Sequence, residues 1–304
     1  AGALAAAAPA EPPRFVDDDK VYKDLYDKIE ELARANKPLA HKKLLSKMKS
    51  APAKVALARP GDKALTPEEV YKQAAPSVFI VGSVYPDNKG NWESGTYATA
   101  WCATGDGVLV TNWHVFDDLK DAEVFGAADR DGNVYPVTDF LGGDKTADVA
   151  VFRISAKGLK PLPVATDYAE VGAWVGLVSH PGDLFYLFTQ GHVTRYSTNK
   201  NEDGNAERWM GVTAEYASGS SGAPMLNKYG AVVGMAALTL SLDAPAGAGG
   251  NPERRAKARP LSPRRPSRAD DKKEPPKPEN KGSTLQMVVK MAVPGPTVVK
   301  WVGK

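Results

Sequence analysis

The feature that most constrains the fold of this chain is a series of short strand-like segments separated by turn sequences. Between Ser77 and Leu240, runs of apolar and β-branched residues alternate with runs rich in glycine, aspartate and asparagine. Examples of the turn sequences are 87–91, 104–107 and 131–133. Short strands that recur about every 8–12 residues are typical of a β-barrel or a β-sandwich. The pattern therefore predicts an all-β core.

Composition limits how that core is stabilised. The chain of 304 residues has 42% hydrophobic and 25% charged residues, which is typical of a globular protein. Cys102 is the single cysteine, so an intramolecular disulfide cannot form, and its apolar strand predicts a buried, unreactive thiol. The net charge of +3 is too small to indicate nucleic-acid binding. No apolar run reaches the about 18 residues that a membrane span needs.

Helices are predicted ahead of the strands. Asp17 to Ala35 begins with three aspartates and repeats apolar residues at helical spacing. Residues 42–49 predict a short basic helix, and Thr66 to Glu69 has the sequence of a capping box. The arm at 17–62 either packs on the core or binds an anionic surface through its lysines, and its composition favours a solvated helical appendage.

Three short segments carry the residue types of a nucleophilic triad. Thr-Asn-Trp-His-Val places His114 at the end of a strand, Ala-Asp-Val-Ala-Val opens another strand with Asp148, and Gly-Ser-Ser-Gly-Ala-Pro places Ser221 in a turn of small residues. Singly, each has an ordinary structural explanation: a strand-end histidine, a strand-start cap and a turn serine. Jointly, the chain order His, Asp, Ser is one of the known orders for a serine nucleophile with its base and orienting acid.

The three motifs resemble the signatures of trypsin-like serine peptidases, which have the chymotrypsin fold, and they are nearest to the bacterial HtrA/Deg type. The resemblance covers roughly residues 66 to 242 and the C-terminal end. It implies an all-β fold of two packed antiparallel six-stranded β-barrels, with an N-terminal helical extension and a C-terminal helix. It also implies a catalytic domain without a PDZ domain, since no PDZ sequence fits here.

The function implied by the resemblance is that of a serine endopeptidase that forms an acyl-enzyme intermediate. His114 would be the general base, and Asp148 would orient the imidazole and stabilise its protonated form. Ser221 would be the nucleophile, and the backbone N–H groups of Gly219 and Ser221 would form the oxyanion hole. No metal and no cofactor is implied. The expected partner is a protein or peptide substrate rather than nucleic acid, and an oligomer is left open.

The substrate pocket is less strongly encoded. By resemblance, its residues are Glu215, Ala237, Leu238 and Thr239. A carboxylate at 215 would favour arginine or lysine in the substrate, whereas a Glu215 that faces solvent or pairs with a nearby cation would not. Ser220 and Ala223 depart from the residues usual in this family, and Ala223 would perturb the turn if its φ were positive.

Two loops bear on activity. No trypsin-style activation site that would release a new N-terminal Ile-Val is evident, so we expect activity without such a cleavage, provided that the loops near Tyr186 and Tyr216 are ordered. His180 lies in one of these loops. A metal-binding role would need partner ligands, and His41 and His192 are not at a suitable spacing, so we expect a structural or pocket-rim role for His180.

The motifs and the composition divide the chain into five parts. Residues 1–16 are predicted as an Ala/Pro-rich leader or disordered terminus, 17–62 as the helical extension, 63–160 as the first barrel with a short entry helix, 161–242 and 284–304 as the second barrel and C-terminal helix, and 243–283 as a disordered basic Pro-rich insertion. The insertion has too few apolar residues to offset its ordering entropy. The Ala-rich start resembles the end of a secretory signal and predicts an exported protein, in the periplasm, the cell envelope or outside the cell.

A second class of function is compatible with the same residues. A trypsin-like fold that has lost turnover would be a peptide-binding module, and its basic insertion would then bind an anionic partner. Reaction of Ser221 with a fluorophosphonate distinguishes the two, because the binding module requires Ser221 to be inert.

Overall fold

The computed structural model describes residues 13–48, 50–117, 119–201, 203–243, 259–260 and 285–303. Within these residues the helices are α1 (Asp18–Arg34), α2 (His41–Lys47), α3 (Pro67–Ala74) and α4 (Gly295–Val302). The strands are β1 (Val78–Pro86), β2 (Trp92–Thr104), β3 (Val108–Thr111), β4 (Val124–Ala128), β5 (Val134–Asp144), β6 (Val149–Ile154), β7 (Trp174–Ser179), β8 (Leu187–Lys200), β9 (Ala206–Val212), β10 (Pro224–Leu226), β11 (Val232–Asp243), β12 (Arg259–Pro260) and β13 (Leu285–Pro294). None of these helices has both the length and the apolar character that crossing a membrane requires.

The first barrel is closed by antiparallel pairing in the order β1-β2-β3-β6-β5-β4. Its interior is built around the fully buried ring of Phe116, whose centroid is 4.8 Å from that of Phe125 and 5.3 Å from that of Phe152. Full burial of a side chain of this size stabilises a fold by about 1.5–3 kcal/mol. Aromatic packing of this kind stabilises a barrel that has no disulfide.

Cys102 lies inside this barrel wall on β2 and is fully buried. Its Sγ is 3.2 Å from the carbonyl oxygen of Thr104. Burial raises the pKa of the Cys102 thiol to about 12, so the thiolate that would react is not formed near neutral pH. The expectation of a buried, unreactive thiol agrees with this environment.

The second barrel is also a closed ring. Strand β10 pairs with both β7 and β11, so the six strands form a closed antiparallel ring in the order β10-β7-β8-β9-β13-β11. The predicted all-β fold of two barrels with helices at the ends is therefore confirmed. One addition is the short strand β12, whose residues Arg259 and Pro260 pair with the far end of β11. This pairing was not predicted from the sequence.

Helix α1 packs on the first barrel, which corrects the expectation of a solvated appendage. Its N-terminus is capped as the aspartates predicted, with Asp17 accepting a hydrogen bond from the N–H of Lys20 at 3.0 Å. Leu25 and Ile29 are buried, and both lie directly over glycines of the barrel. A Cβ at Gly82 would be 2.9 Å from Leu25 Cδ2, and a Cβ at Gly126 would be 2.7 Å from Ile29 Cγ1. The glycines thus let the helix approach the sheet closely, and composition alone did not reveal that contact.

Helix α3 begins with the predicted capping box. The Thr66 hydroxyl accepts from the N–H of Glu69 at 3.3 Å, and the Glu69 carboxylate accepts from the N–H of Thr66 at 2.8 Å. Helix α4 contacts β11 of the second barrel and both β5 and β6 of the first barrel. Because α4 buries Val298 and Val302 between these strands, it helps to hold the two barrels together.

Two predicted segments lie mostly outside the described residues. These are residues 1–12 of the predicted leader, and the predicted insertion apart from residues 243 and 259–260. The five-part division of the chain accordingly stays a prediction.

Candidate active site

His114 is held at the rim of the first barrel by its buried neighbours. After β3 the chain turns through a short 3-10 helix, Trp113–Phe116. Trp113 and Phe116 are buried, and the Trp113 ring meets the edge of Phe140 at a centroid distance of 5.5 Å. The His114 side chain is 36% exposed. The aromatic residues therefore anchor the turn, and the imidazole stays accessible from the surface.

Asp148 reaches the same rim from the turn between β5 and β6. Its φ is 54°, in the left-handed region that few non-glycine residues other than asparagine and aspartate adopt. The turn is held by a hydrogen bond of 3.0 Å from Asn112 Nδ2 to the Asp148 carbonyl oxygen. This conformation directs the carboxylate at His114. Oδ1 accepts from the His114 backbone N–H at 3.1 Å, and Oδ2 lies 2.9 Å from Nδ1.

Ser221 comes from the second barrel and completes the series. Its Oγ is 2.9 Å from Nε2 of His114. With the carboxylate beside Nδ1, the neutral imidazole carries its proton on Nδ1, so Nε2 is left to accept from the serine hydroxyl. The structure thus brings together His114, Asp148 and Ser221, which are far apart in sequence, in one hydrogen-bonded series.

The electrostatics of His114 are set mainly by burial and by Asp148. Burial is the largest influence on the pKa of His114 and by itself would lower it. The charge of Asp148 and its hydrogen bond, with a smaller contribution from Asp117, outweigh burial and raise the pKa above its ordinary value of 6.5. The protonated imidazole is therefore stabilised at this position. A general base needs such stabilisation, because it holds a proton during part of the reaction.

The backbone N–H groups of Gly219 and Ser221 have no hydrogen-bond partner among the described residues. The carbonyl of each of their two peptide groups is fixed. The Ser218 oxygen accepts from the N–H of Gly182 at 3.0 Å, and the Ser220 oxygen accepts from the N–H of Ala223 at 2.9 Å. In a trans peptide the N–H points opposite to its carbonyl. Fixing the two carbonyls therefore fixes the direction of the two free N–H groups.

Glycine is required at position 219. Its φ is 94°, and a Cβ there would be 2.2 Å from the carbonyl oxygen of His180 and 2.5 Å from the ring of Tyr97.

Ser220 and Ala223, the two residues that depart from the sequence usual in such turns, are tolerated. Ser220 is buried and its Oγ is 3.1 Å from that of Ser179, and Ala223 is not among the described residues with positive φ. The turn therefore has no strain at Ala223.

Thr99 of the first barrel fixes this turn from the other side, and the sequence analysis missed it. Its Oγ1 donates to the Gly219 carbonyl oxygen at 2.8 Å, and its N–H donates to the Ser221 carbonyl oxygen at 2.9 Å. A threonine in a strand carries no signal of such a role. Only the packing of one barrel against the other creates it.

The predicted pocket residues fall into two groups, and one of them contacts Ser221. The Ala237 carbonyl oxygen is 3.4 Å from Ser221 Oγ, and Leu238 and Thr239 follow it on β11. The Glu215 side chain is 78% exposed, and its Oε2 is 3.3 Å from Nζ of Lys290. Lys290 lies on β13 opposite Thr239 and is itself buried. The sequence analysis missed Lys290, because the segment at 243–283 separates it from the other pocket residues.

His180 is fully buried, and its Nδ1 accepts from the N–H of Tyr186 at 3.0 Å. Burial lowers its pKa to about 3, so the ring is neutral and has a structural role in the loop. In the part of the chain that the structure describes, no group of three or more His, Cys, Asp and Glu side chains could hold a metal ion.

Comparison with known proteins shows what part of the chain is similar to. Residues 98–235 match the family model described as a trypsin-like peptidase domain. This range contains His114, Asp148 and Ser221. Over this range the chain is therefore similar to trypsin-like peptidase domains.

The relatives are bacterial serine endoproteases. The chain is 31% identical over 138 residues to a "Probable periplasmic serine endoprotease DegP-like" of Chlamydia pneumoniae, covering 45% of this chain and 28% of that protein. It is 28% identical over 158 residues to "Putative serine protease HhoB" of Synechocystis, covering 51% of this chain and 37% of that protein. It is 27% identical over 137 residues to "Serine endoprotease DegS" of Haemophilus influenzae, covering 44% of this chain and 39% of that protein. A crystal structure of a serine endoprotease from Yersinia pestis matches with a TM-score of 0.46 and 22% identity over 58% of this chain and 59% of that one.

The three curated relatives confirm the resemblance to the HtrA/Deg type that the three motifs indicated. The chain spans well under half the length of these curated relatives, between 28% and 39% of each.

Proposed function

We propose that this protein is a serine endopeptidase in which Ser221 is the nucleophile, His114 the general base and Asp148 the residue that orients the base. The observation that supports this most directly is the unbroken series of hydrogen bonds, 2.9 Å from Asp148 to His114 and 2.9 Å from His114 to Ser221. The free N–H groups of Gly219 and Ser221 add the second requirement, two donors for a developing oxyanion.

Acylation uses these groups in order. Ser221 Oγ attacks the carbonyl carbon of a peptide bond while Nε2 of His114 takes the hydroxyl proton. The carbonyl electron pair moves onto its oxygen, which accepts from the N–H groups of Gly219 and Ser221. When the tetrahedral intermediate collapses, the C–N bond breaks and Nε2 gives its proton to the leaving amine. The product is an ester between Ser221 and the acyl half of the substrate.

Deacylation repeats these steps with water. Nε2 takes a proton from the attacking water, the oxyanion forms again at the same two N–H groups, and the ester C–O bond breaks. The proton on Nε2 then returns to Ser221 Oγ, and a carboxylic acid leaves. Asp148 stays ionised and stabilises the imidazolium in both halves.

Labelling with a fluorophosphonate tests this proposal. We expect one adduct, on Ser221, since only an activated serine displaces fluoride at a useful rate. Ser221→Ala should show no adduct, and Ser155→Ala, which alters an exposed serine away from the site, should label as the wild type does. An unlabelled wild type with an intact fold would instead favour the inert peptide-binding module.

For the substrate pocket, we propose that Lys290 neutralises Glu215. The Lys290 ammonium donates to the Tyr216 carbonyl oxygen at 2.5 Å and lies 3.3 Å from the Glu215 carboxylate. The Tyr216 hydroxyl lies 2.6 Å from the carbonyl oxygen of Met291 and 3.1 Å from that of Leu238, so this pair is attached to strands β13 and β11. A neutralised carboxylate does not select basic substrates, in contrast to a free one.

Charge variants should change the cleavage preference in opposite directions. Lys290→Met leaves Glu215 unpaired and should raise kcat/KM for arginine or lysine before the scissile bond, relative to leucine, by about tenfold. Glu215→Gln leaves the ammonium unpaired and should shift preference towards acidic residues. Cleavage of a peptide library measures both, with Lys157→Met as a control at an exposed position. A wild-type preference for arginine or lysine that is unaltered in Lys290→Met would contradict the neutralised pocket.

The relatives named periplasmic support an exported location and a protein or peptide substrate for this chain.

A further inference from the structure

The loop at residues 180–186 lies between helix α1 and the turn that carries Ser221. We infer that Asp18, on the first turn of α1, is a positioning residue that holds this loop and thereby sets the direction of the Gly219 N–H. The inference rests on the proposed peptidase function, because that function gives the Gly219 N–H its task. It also assigns a role to the N-terminal arm, which the sequence analysis left open.

The loop is hydrogen-bonded to residues 218–222, the turn that carries Ser221, which we call the oxyanion turn. Gly182 N–H donates to the Ser218 carbonyl oxygen at 3.0 Å. This carbonyl belongs to the same peptide group as the Gly219 N–H, so its hydrogen bond sets where that N–H points. The His180 carbonyl oxygen is also packed so closely on Gly219 that no Cβ would fit. A displaced loop would therefore release the peptide group that orients this donor.

The backbone of the loop at residues 180–186 is strained. Gly182, Asp183 and Tyr186 have φ values of 54°, 64° and 60°. Glycine adopts the left-handed region freely and aspartate adopts it more often than most residues, but the region is unfavourable for a bulky tyrosine. Such conformations persist only where surrounding contacts hold them. The loop therefore depends on the groups that bind its backbone.

Three side chains bind the backbone N–H groups of this loop. Tyr97 of the first barrel accepts from the N–H of Asp183 at 2.8 Å through its hydroxyl oxygen. The ring of His180 binds the N–H of Tyr186, as described above. Asp18 Oδ1 accepts from the N–H of Phe185 at 2.9 Å. Of these three contacts, the one from Asp18 comes from outside the barrels, and an ionised acceptor makes the stronger kind of hydrogen bond.

Asp18 is itself rigidly placed. It begins a helix of 17 residues whose Leu25 and Ile29 are buried over the glycines of the first barrel. The side chain therefore starts from a fixed backbone and needs little ordering to reach the loop. This carboxylate couples the packing of α1 to the order of the oxyanion turn.

The test compares three variants of the full chain. Asp18→Ala should lower kcat for a peptide substrate by about tenfold to a hundredfold, because one oxyanion donor is misdirected. KM should change little and the midpoint of the acid limb of the pH profile should not move, since His114, Asp148 and Ser221 are untouched. Asp18→Asn keeps the acceptor oxygen and should restore most of kcat. Asp19→Ala, at the exposed neighbouring carboxylate, should behave as the wild type.

Hydrogen–deuterium exchange supplies a readout that does not need activity. In Asp18→Ala we expect faster exchange in residues 182–186, with an unchanged melting temperature. Unchanged exchange and wild-type kcat in Asp18→Ala would overturn the inference, and so would a failure of Asp18→Asn to restore kcat. If the wild type neither turns over peptides nor reacts with a fluorophosphonate, the proposed function fails. Hydrogen–deuterium exchange alone then tests the contact between Asp18 and the loop. Faster exchange of residues 182–186 in Asp18→Ala would support the contact, and unchanged exchange would refute it.

Discussion

Ser221→Ala is expected to lower kcat/KM for a peptide substrate by about a million-fold, the largest effect of any single change in this chain. The substitution removes the oxygen that forms the acyl-enzyme, and no other hydroxyl among the described residues lies within hydrogen-bonding distance of Nε2 of His114. What remains is the contribution of the oxyanion donors and of substrate binding. Release of a fluorogenic group from a peptide measures the loss.

The fold should tolerate this change. Ser221 Oγ bonds to Nε2 of His114 and makes only a long contact of 3.4 Å with the Ala237 carbonyl oxygen. The melting temperature should therefore stay within a few degrees of the wild type. Ser155→Ala is the matched control and should keep full turnover. A Ser221→Ala protein with more than about one percent of wild-type kcat/KM would exclude Ser221 as the nucleophile.

Asp148→Asn is expected to lower kcat by about ten thousand-fold. Asparagine is nearly the same size, but it can present its amide N–H₂ to Nδ1 in place of a carboxylate oxygen. The imidazole then carries its proton on Nε2 and can no longer accept the proton of Ser221. Rate measurements at saturating substrate detect this effect separately from any change in binding.

The same variant should also move the pH profile. In the wild type, kcat/KM is lost as the pH falls through the pKa of His114, and this pKa is raised above 6.5. Asp148→Asn removes the charge that raises this pKa and leaves burial, which lowers it, so the midpoint should shift to lower pH. Asp117→Asn removes a smaller influence, so its midpoint should move slightly and its plateau should persist. A midpoint that is unaltered in Asp148→Asn would contradict the role given to this carboxylate.

Local structure was readable from the sequence wherever a local rule governs it. The aspartates before α1, the capping box at Thr66 and the alternation of strands with turns all depend on residues that are close in the chain. The fold class and the trypsin-like resemblance are confirmed for the same reason, because each motif is a short segment whose residues act together. The roles of His114, Asp148 and Ser221 stay a proposal that labelling and the variants above test.

The contacts of α1 with the barrel were not readable in this way. Gly82 and Gly126 are ordinary strand glycines in the sequence, and only the approach of Leu25 and Ile29 explains them. The same holds for Lys290, whose pairing with Glu215 depends on the register of β13 against β11. Both depend on residues far apart in the chain, where spacing along the sequence says nothing about distance in space.

The sequence by itself determined most of the strands, the helices to within a few residues, and the identities and order of the three candidate catalytic residues, since these follow from short-range periodicity, capping and motif chemistry. Only the tertiary structure decided that Thr99 would fix the turn from the opposite barrel, that Gly182 would orient the Gly219 N–H, and that Asp18 would hold the loop. The physical reason is that a hydrogen bond requires atoms about 3 Å apart. Between residues that lie tens to more than a hundred positions apart, that distance is set by how the chain folds and how the barrels and α1 pack.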